Sequence, residues 1–169
     1  NHFCKIMPEV LKISIITPSF NQGHFIEETI QSVVQQSYSN VEYIIMDGGS
    51  KDDTVDIIKK YESQITYWES KKDKGQSDAI NKGLAKASGD IVAWLNSDDM
   101  YTENALKRVA GIFFRNPDVD IVYGNVWQCY PDKTEKHINV KFNPKHFLTG
   151  VNMHQPSVFW RRRVHEEVG

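Results

Sequence analysis

Three short polar clusters in this sequence carry residues suited to chemistry. Trp94-Leu95-Asn96-Ser97-Asp98-Asp99 sets two adjacent carboxylates directly behind an apolar run. Carboxylates so placed repel each other and are costly unless something offsets their charge. A hard divalent cation does so: Mg2+ or Mn2+ prefers oxygen ligands and is usually held by one or two carboxylates plus substrate phosphates. The same residues also suit a helix start, where the helix dipole favours negative charge, and both readings can hold together. In Asp47-Gly48-Gly49-Ser50-Lys51-Asp52-Asp53-Thr54, an Asp placed after a strand can accept a hydrogen bond from a base or ribose. The glycines beside it would let a flat ligand approach the backbone. An ordinary turn followed by a helix cap uses the same residue types. The third cluster runs from Lys72-Asp73-Lys74-Gly75-Gln76 through Asp78, Asn81 and Gly83. There Asp78 and Asn81 are neighbours on a helix surface, and a solvated, capped helix start is the alternative.

These clusters must be positioned by the elements around them, and apolar β-rich runs alternate with amphipathic helical patterns. Strands are expected at 12–17, 41–46, 65–69, 90–95 and 120–127, with helices at 24–36, 53–61, 75–87 and 102–115 between them. Asp52 is placed to cap the second helix, and Leu106, Val109, Ala110 and Phe113 form the inward face of the fourth. Beyond residue 127 the pattern weakens. A hairpin strand is expected at 133–141, a helical turn at 144–149, a strand at 156–160 and a helix from 161 to 168. Continuous apolar strands separated by helices imply an α/β fold, a three-layer α/β/α sandwich with a mainly parallel central sheet. Ligands of such sheets bind outside the carboxyl ends of the strands, which is where all the Asp-rich clusters fall.

The 169 residues suit one domain, and 40% hydrophobic with 25% charged residues is the balance of an ordinary globular protein. A net charge of -2 supplies no basic field for nucleic acid. No apolar run approaches the roughly 20 residues that span a bilayer, and no signal-peptide pattern opens the chain. A cytoplasmic protein is expected, with any membrane association peripheral and at the inner face. The chain begins without an initiator Met, so a boundary inside a longer protein is an expectation for its start. Cys4 and Cys129 lack metal spacing and read as reduced thiols. Phosphate-loop, dinucleotide, zinc-protease and nucleophile-elbow motifs are absent, and the six histidines form no zinc pattern.

Taken in order, these segments resemble the inverting family 2 glycosyltransferases of GT-A fold. Ile15-Ile16-Thr17-Pro18-Ser19-Phe20-Asn21 is similar to their first strand and nucleotide loop. Ser32-Val33-Val34-Gln35-Gln36 resembles their "S-[VIL]-x-x-Q" helix end, and Tyr43 to Thr54 their "[VI]-D-[DG]-[GS]-S-x-D-x-T" segment. Gly83, Ala87, Gly89 and Asp90 followed by Asn96-Ser97-Asp98-Asp99 resemble the stretch that leads into the acidic metal motif. The resemblance covers nearly all of 12–169, and its specificity lies in order and spacing.

The resemblance implies roles. Thr17 and Asp47 would contact the base, with Pro18 and Phe20 shaping that pocket. Asp73, Gln76 and Asp78 would help position base or sugar. Asp98 would lie near ribose and metal, and Asp99 would be the main ligand of Mn2+ or Mg2+. His154, in Asn152-Met153-His154-Gln155-Pro156-Ser157, is a further candidate for diphosphate or metal, with a structural histidine as the alternative. Arg161-Arg162-Arg163 would meet a phosphate or an anionic membrane surface, or simply form a solvated helix start. Trp94, Trp127 and Trp160 are candidates for sugar stacking, Trp94 being placed better for the core.

The implied reaction moves a sugar from a nucleoside-diphosphate sugar, a UDP-sugar in the first instance, to a glycan or lipid-linked acceptor with inversion. Its general base is expected beyond Gly169, because Val164-His165-Glu166-Glu167-Val168-Gly169 resembles the lead-in to the family's "G-G-F-D" stretch. Accordingly, residues 1–11 are expected to be an N-terminal extension, 12–127 the nucleotide-sugar core and 128–169 the start of a truncated acceptor-side subdomain. Two competing expectations are a donor- and metal-binding fragment without turnover, and a nucleotidyltransferase. The latter calls for a glycine-rich basic loop after the first strand, which Thr17-Pro18-Ser19-Phe20-Asn21 is not.

Overall fold

A computed structural model of the protein describes residues 11–130, 135–138 and 153–168. The elements in chain order are β1 (Ile13–Ser19), α1 (Ile26–Val34), β2 (Val41–Asp47), α2 (Thr54–Lys60), β3 (Tyr67–Ser70), α3 (Gln76–Leu84), β4 (Ile91–Trp94), α4 (Ala105–Arg115), β5 (Ile121–Tyr123), β6 (Val126–Cys129), β7 (Glu135–Ile138), β8 (Val158–Arg161) and α5 (Arg162–Val168). Residues 1–10, the expected helical turn at 144–149, and Cys4 and Asn152 lie outside the described residues. Among the described helices none is long and apolar enough to cross a membrane.

The central sheet has the order β3-β2-β1-β4-β8-β5. The strands β1 to β4 pair in parallel, while β8 runs antiparallel between β4 and β5. The α/β sandwich with a mainly parallel sheet is therefore as expected. Period-2 alternation divides the strands between two layers. Ile13, Ile15, Tyr43, Ile45, Ile91 and Ala93 pack with Ile26, Ile30 and Val33 of α1, Ile57 and Ile58 of α2, and the four expected residues of α4. On the other face Ile16, Ile44 and Met46 pack with Ala79 of α3.

Three boundaries differ from the sequence reading. The first strand runs on through Pro18 to Ser19. Along β1 the even residues bond toward β4, as in Ile91 N–H to Lys12 O and Leu95 N–H to Ile16 O. The pairing with β4 ends at Ile16, so the N–H that Pro18 lacks would have had no strand partner there. The expected single strand at 120–127 breaks at Gly124 and Asn125 into β5 and β6. Gly124 N–H donates to Ser157 O at 3.2 Å, and the chain then leaves the sheet to form a hairpin with β7. The core also does not close at residue 127: β8 is a strand of the main sheet, so 158–161 belong to the core and not to a separate subdomain.

Arg161 shows why that late strand fits. Its Nε donates to Val119 O at 2.8 Å, its Nη2 to Phe113 O at 2.9 Å and Asn116 O at 3.3 Å, and its guanidinium lies 5.1 Å from the Phe113 ring centroid. A cation thus caps the carbonyl end of α4, where the helix dipole favours it. The expected phosphate or membrane role of Arg161 is corrected accordingly, while Arg162 and Arg163 pair with Glu166 and Asp120. Arg161→Ala should cost about 2 kcal/mol by chemical denaturation, the scale of lost hydrogen bonds from a charged donor. Arg161→Lys should recover only part of it, lacking the planar fork.

Candidate functional site

Because β2, β1 and β4 are adjacent and parallel, the segments that follow them meet at one edge of the sheet. The first two are stitched together. Gly48 N–H donates to Ser19 O at 2.8 Å, Asn21 N–H to Ser50 Oγ at 2.7 Å, Lys51 N–H to Asn21 Oδ1 at 2.9 Å, and Gly23 N–H to Asp52 Oδ2 at 2.9 Å. Asn21 is left-handed, with φ 52°, a conformation Asn tolerates better than most residues. Asp52 also accepts from Thr54 N–H and Oγ1. It therefore ties the entry of α2 to the neighbouring loop, while the N-cap position expected for Asp52 is held by Asp53.

Two residues expected at the base, Thr17 and Asp47, are buried at this edge. Thr17 is fully buried, on the same face as Ile13 and Ile15, with Oγ1 3.1 Å from Tyr43 Oη. That contact ties β1 to β2 from within the core. Asp47 is 2% exposed. Its carboxylate accepts from Gly49 N–H at 3.0 Å, Ser50 N–H at 2.9 Å and the hydroxyls of Ser50 and Ser70. Its carboxylate shapes the Gly48–Ser50 turn, three of the four bonds falling on Oδ2 and one on Oδ1. Pro18 is buried against β2, and Phe20 is 59% exposed on the rim.

Asp73 takes the place over this turn. A Cβ added to Gly48 would lie 3.0 Å from Asp73 Oδ2, so the glycine leaves room for that half-buried carboxylate. Its Oδ1 accepts from Gly75 N–H at 2.8 Å. Asp78 is engaged locally: it accepts from Lys74 N–H at 3.1 Å and pairs with Lys82 at 2.7 Å, which holds its carboxyl below the usual range, the Lys82 bond leading.

Beside β1, the chain leaving β4 forms a turn, with Asp99 N–H donating to Asn96 O at 3.1 Å. Asp98 is exposed and Asp99 half-buried. Burial, and then the Asp98 charge, push the Asp99 carboxyl above its ordinary value against an opposing bond from Asn96. None of the ion pairs among the described residues includes Asp98 or Asp99. A repelling carboxylate pair with no cation of its own is a donor set that fits a hard divalent ion. Among the described residues no group of three or more His, Cys, Asp or Glu side chains converges on a metal. Such an ion would therefore take most of its ligands from a bound phosphate and water. His154 is half-buried at the start of the turn before β8, where its carbonyl accepts from Ser157.

Gln76, Asn96 and Gln155 join this region through side-chain amides. Together with Trp94 and Trp160 they line a cavity of about 630 Å3 between α3 and α5. Those two rings meet edge to face at 5.6 Å, so each is part of a packed pair. Trp127, 54% exposed on the hairpin, lies 4.8 Å from the His137 ring. Neither Asn96 nor Gln155 stood out in the sequence as an individual side chain. The signal available was an amide directly preceding each of two polar turns. Cys129 is an exposed free thiol.

The fold is shared with solved structures of low sequence identity. One is TarS 1-349 of S. aureus in complex with UDP-GlcNAc, with TM-score 0.74, 20% identity, and coverage of 93% of this chain and 47% of that one. Another is the mannosyltransferase PcManGT of Pyrobaculum calidifontis in complex with GDP-Man and Mn2+, with TM-score 0.71, 18% identity, and coverage of 95% and 47%. In sequence, an uncharacterized glycosyltransferase of Mycobacterium tuberculosis (strain H37Rv) is 42% identical over 91 residues, 53% of this chain and 35% of that protein. The match thus spans about a third of that relative's length. The family model described as glycosyl transferase family 2 matches residues 14–166, from the first residues of β1 into α5. With the sheet order, the acidic turn after β4 and that match in agreement, the chain belongs to the family 2 glycosyltransferases.

Proposed function

We propose that the chain binds a nucleoside-diphosphate sugar, a UDP-sugar by preference, and transfers its sugar with inversion to a glycan or lipid-linked acceptor. The observation that carries this reading is Asp99: half-buried, beside Asp98, unpaired by any described cation, at the carboxyl edge of a central parallel strand. The complexes of TarS with UDP-GlcNAc and of PcManGT with GDP-Man and Mn2+ support it by fold. When bound, Mn2+ or Mg2+ would act as a Lewis acid on the leaving diphosphate.

The chain's own residues divide the remaining work. Asp99, with Asp98 at the rim, holds the cation. Asp73 meets the base across Gly48, and Asp47 acts behind it by fixing the turn. Phe20 and Gln76, exposed on the same edge, flank base and sugar. The general base lies outside the described residues. Glu166 pairs with Arg162 at 3.4 Å and is exposed, and Glu167 is exposed beside it.

Uracil presents a ring imide N–H that a carboxylate can accept from, whereas adenine carries its donor on an exocyclic amine beside a ring acceptor, on a larger ring system, so the donor falls in a different place. UDP should therefore bind more tightly than ADP in calorimetric titration. Asp73→Ala should weaken UDP roughly tenfold, the worth of one hydrogen bond to a charged group, and shrink the preference over ADP. Equal UDP and ADP affinities in the unaltered protein would count against a base site at Asp73. A screen of nucleotide-sugars with Mn2+ identifies the donor by turnover.

A further inference from the structure

We propose that Gln155 is a positioning residue that fixes the Asp99 carboxylate through the side-chain amide of Asn96. This rests on the reading that Asp99 holds the cation. The strands β4 and β8 pair only through Ile91–Arg161 and Val92–Trp160. Beyond that the two chains diverge, leaving the Trp94 carbonyl without a strand partner on that side. Gln155 spans the fork: its Nε2 donates to Trp94 O at 2.6 Å. Its Oε1 then accepts from Asn96 Nδ2 at 3.0 Å. The same Nδ2 donates its second hydrogen to Asp99 Oδ2 at 3.1 Å, and Asn96 Oδ1 accepts from Gln76 Nε2 at 2.8 Å.

The chemistry of the two ends allows only this arrangement. A backbone carbonyl and an ionised carboxylate can only accept. Gln155 must therefore turn its nitrogen to Trp94 and its oxygen to Asn96. Asn96 must turn its nitrogen toward both Gln155 and Asp99, and its oxygen toward Gln76. Turning either amide over would set oxygen against oxygen. The orientation is thus transmitted from the end of β4 to Asp99, and sideways to the first residue of α3. One oxygen of Asp99 is committed to this relay, and the carboxylate is held in one rotation for the cation.

The test measures Mn2+ affinity by the electron paramagnetic resonance of free Mn2+ in the presence of UDP, together with metal-free UDP affinity and Tm. Gln155→Leu should weaken Mn2+ roughly tenfold, the lower end of the effect of removing a partner of a metal ligand. Gln155→Glu, which offers no donor to Trp94, should do the same. Metal-free UDP affinity should be unchanged in both. In an Asn96→Ala background, Gln155→Leu should add nothing further, because its action passes through Asn96. Asp99→Ala is the control. If Asp99→Ala abolishes Mn2+ binding while both Gln155 variants leave it intact, or if the two sites are additive, the relay is wrong. A lowered Tm with unchanged Mn2+ affinity would also overturn it, showing Gln155 to be structural only. If Asp99→Ala itself leaves Mn2+ affinity unchanged, the cation reading fails and the relay with it.

Discussion

Asp99→Ala should abolish metal-dependent nucleotide binding and reduce turnover by about 10²–10³-fold or more, while the protein remains folded. Two opposing consequences of the geometry lead there. As a ligand, Asp99 is the half-buried member of the acidic pair, and Asp98 alone is an exposed carboxylate on the rim. Losing Asp99 leaves the cation one weakly held ligand. As a structural group it contributes little: its position already disfavours the charge, through burial and the neighbouring Asp98, and among the described residues its side chain takes one hydrogen bond, from Asn96. Calorimetry with UDP and Mn2+, beside a thermal melt, separates the two effects. Asp99→Asn should behave like Asp99→Ala in metal binding, because a neutral amide keeps the shape but not the charge. Asp98→Ala should have a smaller effect.

Glu42→Ala should lower stability by about 4 kcal/mol without touching the donor site. Glu42 lies on β2 at the opposite end of the sheet and is 6% exposed. Its carboxylate accepts from Lys12 Nζ at 2.7 Å, from the Ser14 hydroxyl, and from Ser88 N–H and Oγ, both at 2.7 Å. Gly89 closes the same cluster, its N–H donating to Ser14 Oγ at 2.8 Å. A Cβ there would stand 2.8 Å from Lys12 O and Ser14 N, so only glycine lets the turn before β4 lie this close to β1. Removing the carboxylate takes the acceptor from the Ser14 hydroxyl and both Ser88 donors and leaves the half-buried Lys12 ammonium its bond to Ser88 Oγ at 2.7 Å.

The same cluster sets an acid limit. Burial pushes the Glu42 carboxyl up, but the bonds from Lys12, Ser14 and Ser88 outweigh it and bring it from 4.5 to about 2. A depressed carboxyl contributes stability that is fully present above the unfolded value and is lost as pH falls through the folded one. Between about pH 4.5 and pH 2 the protein should therefore lose about 3 kcal/mol through this group. Glu42→Gln should flatten that part of the denaturation profile.

The sequence made the layers legible because hydrophobic period and layer are the same fact. Leu106, Val109, Ala110 and Phe113 recur at helical spacing and are all buried. The acidic turn after β4 was legible too, since two carboxylates behind an apolar strand have few uses. The bonds that Thr17 and Asp47 make within the protein were not legible, for different reasons. Thr17 follows Ile13 and Ile15 at period two, which already directs it into the core. The strand was expected to stop at Thr17, two residues short of Ser19, although a proline facing an unpaired side lets it continue. Asp47 begins a turn whose own amides and hydroxyls can saturate a carboxylate, and spacing alone does not say whether a ligand or the loop takes it. Gln155, Arg161 and Glu42 act across separations of 61, 48 and 46 residues, on Trp94, Phe113 and Ser88 respectively. Such contacts depend on β8 entering the sheet between β4 and β5, and on the turn before β4 reaching back to β1 and β2. No local pattern encodes either.

The decisive measurement is a crystal of the protein grown with UDP-sugar and Mn2+, with data collected at the manganese edge. The expected result is an anomalous peak within coordination distance of the Asp99 carboxylate, bridging to the diphosphate, with the base lying across Gly48 against Asp73. A manganese peak elsewhere, or a nucleotide seated away from the turn that follows β4, would contradict the assignment.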